Sequence, residues 1–194
     1  MARPKEFDPD EVLDRAVELF WAKGYEATSI QDLVEALGIN RSSLYATYGD
    51  KHALYLAAID RYCRDVVDPS ALELDRSDTP LEAIRNMFLE IPGLAARQGK
   101  RGCLLCNAAV ERAPVDPDVK AEVSGGFGRL GAAFRRALER ARQAGDLDPA
   151  AESAALADYL LSGYLGLIVL AKSGRKPAQL RRTAKLILAP LGPG

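Results

Sequence analysis

The sequence predicts an all-α protein in two parts: a three-helix head over residues 1–50 and a larger helical part over residues 51–194, about nine helices in all. Three observations point there. Stretch after stretch places its apolar residues at i, i+3, i+4 and i+7. Each such stretch opens at a capping residue or Pro and closes at Gly or before Pro. The composition, 48% apolar and 27% charged over 194 residues, is that of an ordinary soluble globular chain long enough for a real core.

In the head, Asp8 caps the first helix, Pro9 takes its first position, and Val12, Leu13, Ala16, Val17 and Phe20 make one apolar face before Gly24 ends it. Ser29 then caps a short helix in which Ile30, Leu33, Val34 and Leu37 share a face. Gly38 permits a sharp reversal, Ile39 plugs the corner, and Asn40 caps the next helix, Arg41 to about Tyr48. The pattern is helix, turn, helix. Leu44 and Tyr48 turn inward, so Arg41, Ser42, Tyr45 and Thr47 face away. Donors, short hydroxyls and a polar-tipped ring suit a major groove and the phosphates at its rim. Trp21 and Tyr25 extend the core of the head. Asp50 caps a following helix, which places Lys51 in a first turn suited to phosphate.

That helix is expected to run to about Val66 and to halt at Asp68-Pro69-Ser70. After a polar connector, Thr79 and Pro80 open a helix carrying Leu81, Ile84, Met87, Phe88 and Ile91, which Pro92-Gly93 kinks or breaks. A loop through Gln98, Gly99, Lys100, Arg101 and Gly102 precedes a short helix from Cys103 to Val110, ended at Ala113-Pro114. Asp116-Pro117 opens a long helix to about Ala144. Gly125, Gly126 and Gly128 within it predict a bend or a close approach by another backbone or a ligand. The last two helices are placed at Pro149–Lys172 and Pro177–Leu188. In the first of these, Ala154, Ala155, Leu156, Leu160, Leu161, Tyr164, Leu165, Ile168 and Val169 cover more than one face. With Leu180, Ala184, Ile187 and Leu188 they suit half of a symmetric four-helix interface, and Gly163 and Gly166 allow close approach. A central helix in a monomeric core is the alternative.

Net charge is −1, and residues 1–65 hold more Asp and Glu than Lys and Arg, which excludes a basic coat for nucleic acid. Any such contact rests on a few placed cations and N–H groups. Arg3 and Lys5 sit on an arm able to reach phosphates or a minor groove. Three Cys are too few for a disulfide scaffold, no apolar segment opens the chain as a signal peptide would, and the apolar run Tyr159–Ala171 is too short to span a bilayer. A cytoplasmic location is expected, with no membrane.

Lys23-Gly24-Tyr25-Glu26-Ala27-Thr28-Ser29-Ile30, then Leu37-Gly38-Ile39, Leu44-Tyr45 and Tyr48-Gly49-Asp50-Lys51 resemble the N-terminal DNA-binding signature of the TetR family of bacterial repressors. Thr47 stands where that signature usually has a larger Tyr or His, and Tyr48 where it has Phe. The resemblance implies a helix-turn-helix head and a helical regulatory and dimerisation domain. It also implies a homodimer on palindromic double-stranded operator DNA, released by a small-molecule inducer. It assigns Arg41 to a base edge and Gln31, Asn40, Ser42 and Tyr45 to bases or phosphates. Thr28, Ser29, Ser43, Thr47 and Lys51 become phosphate contacts.

In the regulatory half, Cys103 and Cys106 share a helix face beside Lys100 and Arg101 and above a helix N-terminus, all of which favour thiolate. Oxidation, a disulfide or capture of an electrophile is one use of that pair; two small core residues is the other. Gly102-Cys103-Leu104-Leu105 is similar to a segment of the TetR branch that senses electrophiles and oxidants. A non-covalent inducer pocket is expected among Met87, Phe88, Ile91, Phe127, Phe134, Tyr159 and Tyr164, which equally suit a core. No cofactor or metal is expected, since His52 is the only His and no second Cys pair exists. Arg175, Lys176, Arg181, Arg182 and Lys185 read as a solvated face. An all-α thiol redox enzyme and a helical dimer that binds no DNA are the competing functions, and activation in place of repression stays open.

Overall fold

The structure, a computed structural model, describes residues 7–98 and 101–192. Arg3, Lys5 and Lys100 lie outside the described residues. The helices are α1 (Pro9–Lys23), α2 (Ile30–Leu37), α3 (Arg41–Tyr48), α4 (Lys51–Tyr62), α5 (Asp68–Arg76), α6 (Pro80–Gln98), α7 (Leu104–Glu111), α8 (Pro117–Ala144), α9 (Ser153–Lys172) and α10 (Pro177–Leu188). A π turn, Cys63–Val67, joins α4 to α5, so the described residues form nine helical rods and no strand.

The head closes as its caps and apolar spacing require. Asp8 accepts from the Asp10 N–H, Asn40 from the Ser43 N–H and Asp50 from the Ala53 N–H, at 2.9, 2.8 and 2.7 Å. Ser29 and Asp32 form a reciprocal capping box, and Gly38 turns out of α2 in the left-handed region at φ 68°. Val12, Ala16, Phe20, Leu33, Leu37, Ile39 and Leu44 are buried together, and Phe20 meets Tyr55 of α4 edge-on at 4.9 Å. Tyr48 is half-buried and donates its hydroxyl to the Pro9 carbonyl at 2.9 Å, which ties α3 to the start of α1.

Three boundaries differ from the sequence reading. Asp68-Pro69 does not halt the helix. A proline ring strikes the carbonyl four residues back and lacks an N–H. Here the π turn carries the Asp68 N–H to the Cys63 carbonyl and resets the register, so Pro69 falls in the first turn of α5. Pro92-Gly93 does not break α6, which continues through a buried Pro92 to Gln98. Helix α9 begins at Ser153 rather than Pro149, because Asp148 folds residues 148–151 into a turn through its carbonyl and carboxylate.

In the larger half α8 is central, packed against α5, α6, α7 and α9. Phe88, Phe134 and Tyr164 form an aromatic cluster with centroids 5.5 to 6.3 Å apart. The glycines of α8 mark a close approach: a Cβ on Gly126 would stand 2.6 Å from Leu105 Cδ1 and 3.1 Å from Cys63 Sγ. One on Gly128 would meet open space. Gly163 serves the same purpose between α9 and α10, where Ile187 would sit 2.7 Å from its Cβ.

The outer face of α9 and α10 is apolar and uncovered, with Tyr159, Val169 and Leu186 exposed at 45, 52 and 66%. At 20 residues α9 is longer than the run read from sequence, with a mean hydropathy of 1.7, and only 17% of that window is buried. On length and composition alone it could cross a bilayer, which corrects the expectation that it is too short.

Gly126→Val should lower unfolding free energy by about 1–3 kcal/mol through overpacking against Leu105. Gly128→Ala should raise it by about 0.5–1 kcal/mol through helix propensity. Urea unfolding followed by circular dichroism separates the two; equal effects would show that Leu105 gives way freely.

Candidate nucleic-acid interface and sensor cavity

On α3 the inward side is taken by Leu44, fully buried, while Arg41, Ser42, Tyr45 and Ala46 are exposed and Ser43 and Thr47 half-buried. Arg41 and Tyr45 are one turn apart, with the guanidinium 6.0 Å from the ring centroid. Among the described residues the Arg41 guanidinium has no hydrogen bond or ion pair, so its five donors are free for an acceptor-rich ligand. Ser42 Oγ donates to Asn40 Oδ1 at 2.7 Å, the same oxygen that caps α3, so these two side chains hold each other in place. Gln31 is exposed on α2 and donates to Glu35 at 2.7 Å.

The remaining phosphate candidates divide. Ser29 is exposed, but its hydroxyl is engaged with Asp32 at 2.7 Å. Lys23, 2.7 Å from that carboxylate, together with the Ser29 hydroxyl and N–H, holds Asp32 well below the usual carboxylate range. Thr28 is fully buried and donates to the Gly24 carbonyl at 2.6 Å, so its hydroxyl is not available to a phosphate. It closes the turn between α1 and α2 instead. Lys51 sits at the first position of α4, half-buried, its ammonium 4.2 Å from the centroid of Tyr25, and burial draws its pKa below the ordinary lysine value.

A cavity of about 230 Å³ opens between α4, α5, α6, α8 and α9. Met87, Ile91, Cys103, Phe127 and Tyr164 line it as expected, joined by Tyr62, Leu105, Leu130 and Ile168, with Asn86, Glu90 and Lys172 as polar groups. Four expected members lie elsewhere. Phe88 and Phe134 are fully buried in the aromatic cluster behind the wall, Tyr159 points outward on the exposed face of α9, and Cys106 stands on α7 behind Cys103. Sequence periodicity marks these residues as apolar and helical. It does not say which side of the wall each occupies.

The three cysteines are free thiols. Cys103 stands at the N-cap position of α7, where the Cys106 thiol, the backbone N–H groups of Cys106 and Leu105 and the Tyr62 hydroxyl outweigh burial and draw its pKa below the ordinary thiol value. Cys106, as the donor in that pair, is pushed up. Burial raises Cys63 to about 11. Of the three thiols, the one whose pKa is lowered is the one that lines the cavity. His52, Asp116 and Asp118 also bring donor atoms together, but Asp116 already accepts from Arg112 at 2.9 Å and pairs with His52 at 3.0 Å. The Arg112 cation fills the role a metal would take there.

Sequence reasoning did not find the contacts between the halves. Trp21 Nε1 donates to the Gly102 carbonyl at 2.9 Å, Arg101 pairs with Glu18, and Glu111 accepts from the N–H groups of Tyr25 and Glu26 at 3.1 and 2.9 Å. A lone Trp at the end of the head's first helix was the available signal.

Residues 12–58 match the family described as bacterial regulatory proteins, tetR family, and residues 80–187 match the tetracyclin repressor-like C-terminal domain. The chain belongs to the TetR family. YezE of Bacillus subtilis, an uncharacterized HTH-type transcriptional regulator, is 39% identical over 89% of this chain and 90% of its own. The HTH-type transcriptional repressor ComR of Escherichia coli is 29% identical over 94% of this chain and 88% of its own. A cysteine mutant of the TetR family regulator CifR, complexed with 26 bp double-strand operator DNA, matches the fold with a TM-score of 0.86. That match is at 29% identity over 97% of this chain and 98% of that one. This TetR-family chain is thus a transcriptional regulator, not an enzyme.

Because the thiolate is the reactive form and the Cys103 pKa is lowered, alkylation of Cys103 by iodoacetamide should level off at a lower pH than that of free cysteine. Cys63 should stay unmodified. Peptide mass spectrometry over pH 5–9 measures this, and a rate still climbing at pH 8 would mark an ordinary thiol.

Proposed function

We propose that this regulator is a homodimeric repressor that binds palindromic operator DNA through α3. Occupation of the cavity by a small-molecule inducer, or modification of the Cys103 and Cys106 pair, releases it. The observation that carries the reading is the bare face of Arg41, Ser42 and Tyr45 on a helix whose other side completes a packed core. A guanidinium without a hydrogen-bond or ion-pair partner among the described residues is suited to guanine O6 and N7, and Tyr45, Ser43, Thr47 and Lys51 to phosphates at the groove edge. CifR bound to operator and ComR as a repressor support the same role here.

Two heads must stand about one duplex turn apart, roughly 34 Å, to read a palindrome. The apolar face of α9 and α10 is suited to a second copy: Tyr159, Val169 and Leu186 stand in solvent, and Gly166 leaves room for close approach. A partner helix, rather than lipid, suits a face belonging to a DNA-binding cytoplasmic protein. The residues 1–50 and 51–194 then divide reading from dimerisation and control.

The inducer is a compact, largely apolar molecule, because the cavity wall is mostly aliphatic and aromatic with phenols and single charges at its margin. An electrophile small enough to enter would meet the Cys103 thiolate.

Arg41→Ala should weaken operator binding by about 1–3 kcal/mol at unchanged helicity. Fluorescence anisotropy on the DNA upstream of its own gene tests this, and undiminished affinity would remove α3 from the interface. Val169→Glu with Leu186→Glu should convert the dimer to a monomer by light scattering and cost operator affinity with it. A dimer that persists would move the interface elsewhere.

A further inference from the structure

The segment from Arg101 to Asp116 holds the head at both ends of α7. At the start of the segment, Arg101 pairs with Glu18, and the Gly102 carbonyl accepts from Trp21 at 2.9 Å. At the far end, the Glu111 carboxylate spans the N–H groups of Tyr25 and Glu26, and Arg112 pairs with Glu26 at 2.6 Å. Beyond α7, Asp116 pairs with His52 in the first turn of α4, just past the head. The Glu111 grip depends on a glycine at positive φ that leaves space for it, and the glycine at the start of the segment packs against Lys172. Gly24, φ 85°, would bring a Cβ to 2.9 Å from the Glu111 carboxylate, and Gly102, φ 68°, to 2.9 Å from the Lys172 side chain.

We infer that α7 is a two-point clamp on the DNA-reading head, with Trp21 and Glu111 the positioning residues through which an event at Cys103 reaches α3. This rests on Cys103 being the sensor. Cys103 adjoins Gly102, which is pinned between Lys172 and Trp21, so bulk added at the thiol displaces the Gly102 carbonyl. Trp21 then loses its acceptor. Because α7 is a short rigid helix, its other end shifts too, and Glu111 leaves the turn that leads into α2, against which the recognition helix packs. With a maleimide as the reagent, Cys103 Sγ adds to one alkene carbon and forms a C–S bond. The π pair becomes a C–H bond at the other carbon, with the proton taken from water, and nothing is expelled.

The test uses the full chain, an operator fragment and N-ethylmaleimide, with the single adduct at Cys103 verified by peptide mass. In the wild type the adduct should weaken operator affinity by at least about tenfold. Trp21→Phe and Glu111→Gln should be alkylated at Cys103 as fast as wild type. Their adducts should weaken binding by less than about threefold. Variants that respond as strongly as wild type overturn the clamp and leave thiol sensing standing. A wild-type adduct that binds operator undiminished overturns both. Hydrogen exchange on the wild type needs no variant to fold: the adduct should speed exchange at the Tyr25 and Glu26 amides, and unchanged protection there overturns the clamp.

Discussion

One helical rod belongs to two cores at once. Helix α4 lays Leu54, Tyr55, Ala58 and Ile59 against the head, then, through the π turn and α5, lays Tyr62, Cys63, Val67, Ala71 and Leu74 against the regulatory half. All of these side chains are buried, and interiors packed at crystal-like density move between discrete arrangements rather than deforming smoothly. The head therefore cannot turn independently of the rod. Any change in the cavity, which Tyr62, Val67 and Leu74 line, is presented to the rod directly. The π turn is the natural place for that rod to adjust, since its widened hydrogen bonds already depart from the ladder on either side.

The same constraint explains which apolar surfaces stay open. Helix α3 spends one residue, Leu44, on full burial and leaves Arg41, Ser42 and Tyr45 outward, so among the described residues that face is uncovered. Helix α9 does the opposite. Ala157, Leu160, Tyr164 and Leu167 bury one side, yet Val169 and Tyr159 remain in water. An amphipathic surface helix has no reason to carry apolar residues outward, whereas a helix with a partner does. The two open faces differ in chemistry, as the proposed pair of occupants, a duplex and a second copy, would require.

Local chemistry made most of the fold legible. Caps at Asp8, Ser29, Asn40 and Asp50, and left-handed exits at Gly24 and Gly38, are decided by a few neighbouring residues, and those boundaries stand where the sequence puts them. Pro69 and Pro92 misled for one reason: local sequence registers a proline's cost but not the tertiary packing that makes an accommodated helix the better state. The site divides likewise. Arg41, Ser42 and Tyr45 are outward by periodicity alone. Thr28 is a hydroxyl in the right motif whose acceptor, Gly24, shows only in three dimensions, and Phe88, Phe134 and Tyr159 could not be sorted to a side of the cavity wall without knowing how α6, α8 and α9 meet.

Magnitudes favour release of contacts, rather than unfolding of the head, as the origin of any switch. Coupling between two sites in one protein typically amounts to about 1–3 kcal/mol. A neutral hydrogen bond such as Trp21 to Gly102 contributes about 0.5–1.5 kcal/mol, and one to a carboxylate, such as those Glu111 accepts, about 1.5–3 kcal/mol. Loss of either end of α7 is enough to supply the coupling, while the buried core of Phe20, Leu33, Leu37 and Leu44 needs no rearrangement. The head can thus stay folded and change only its angle, and angle is what the proposed dimer, with its two readers spaced for successive grooves, must keep.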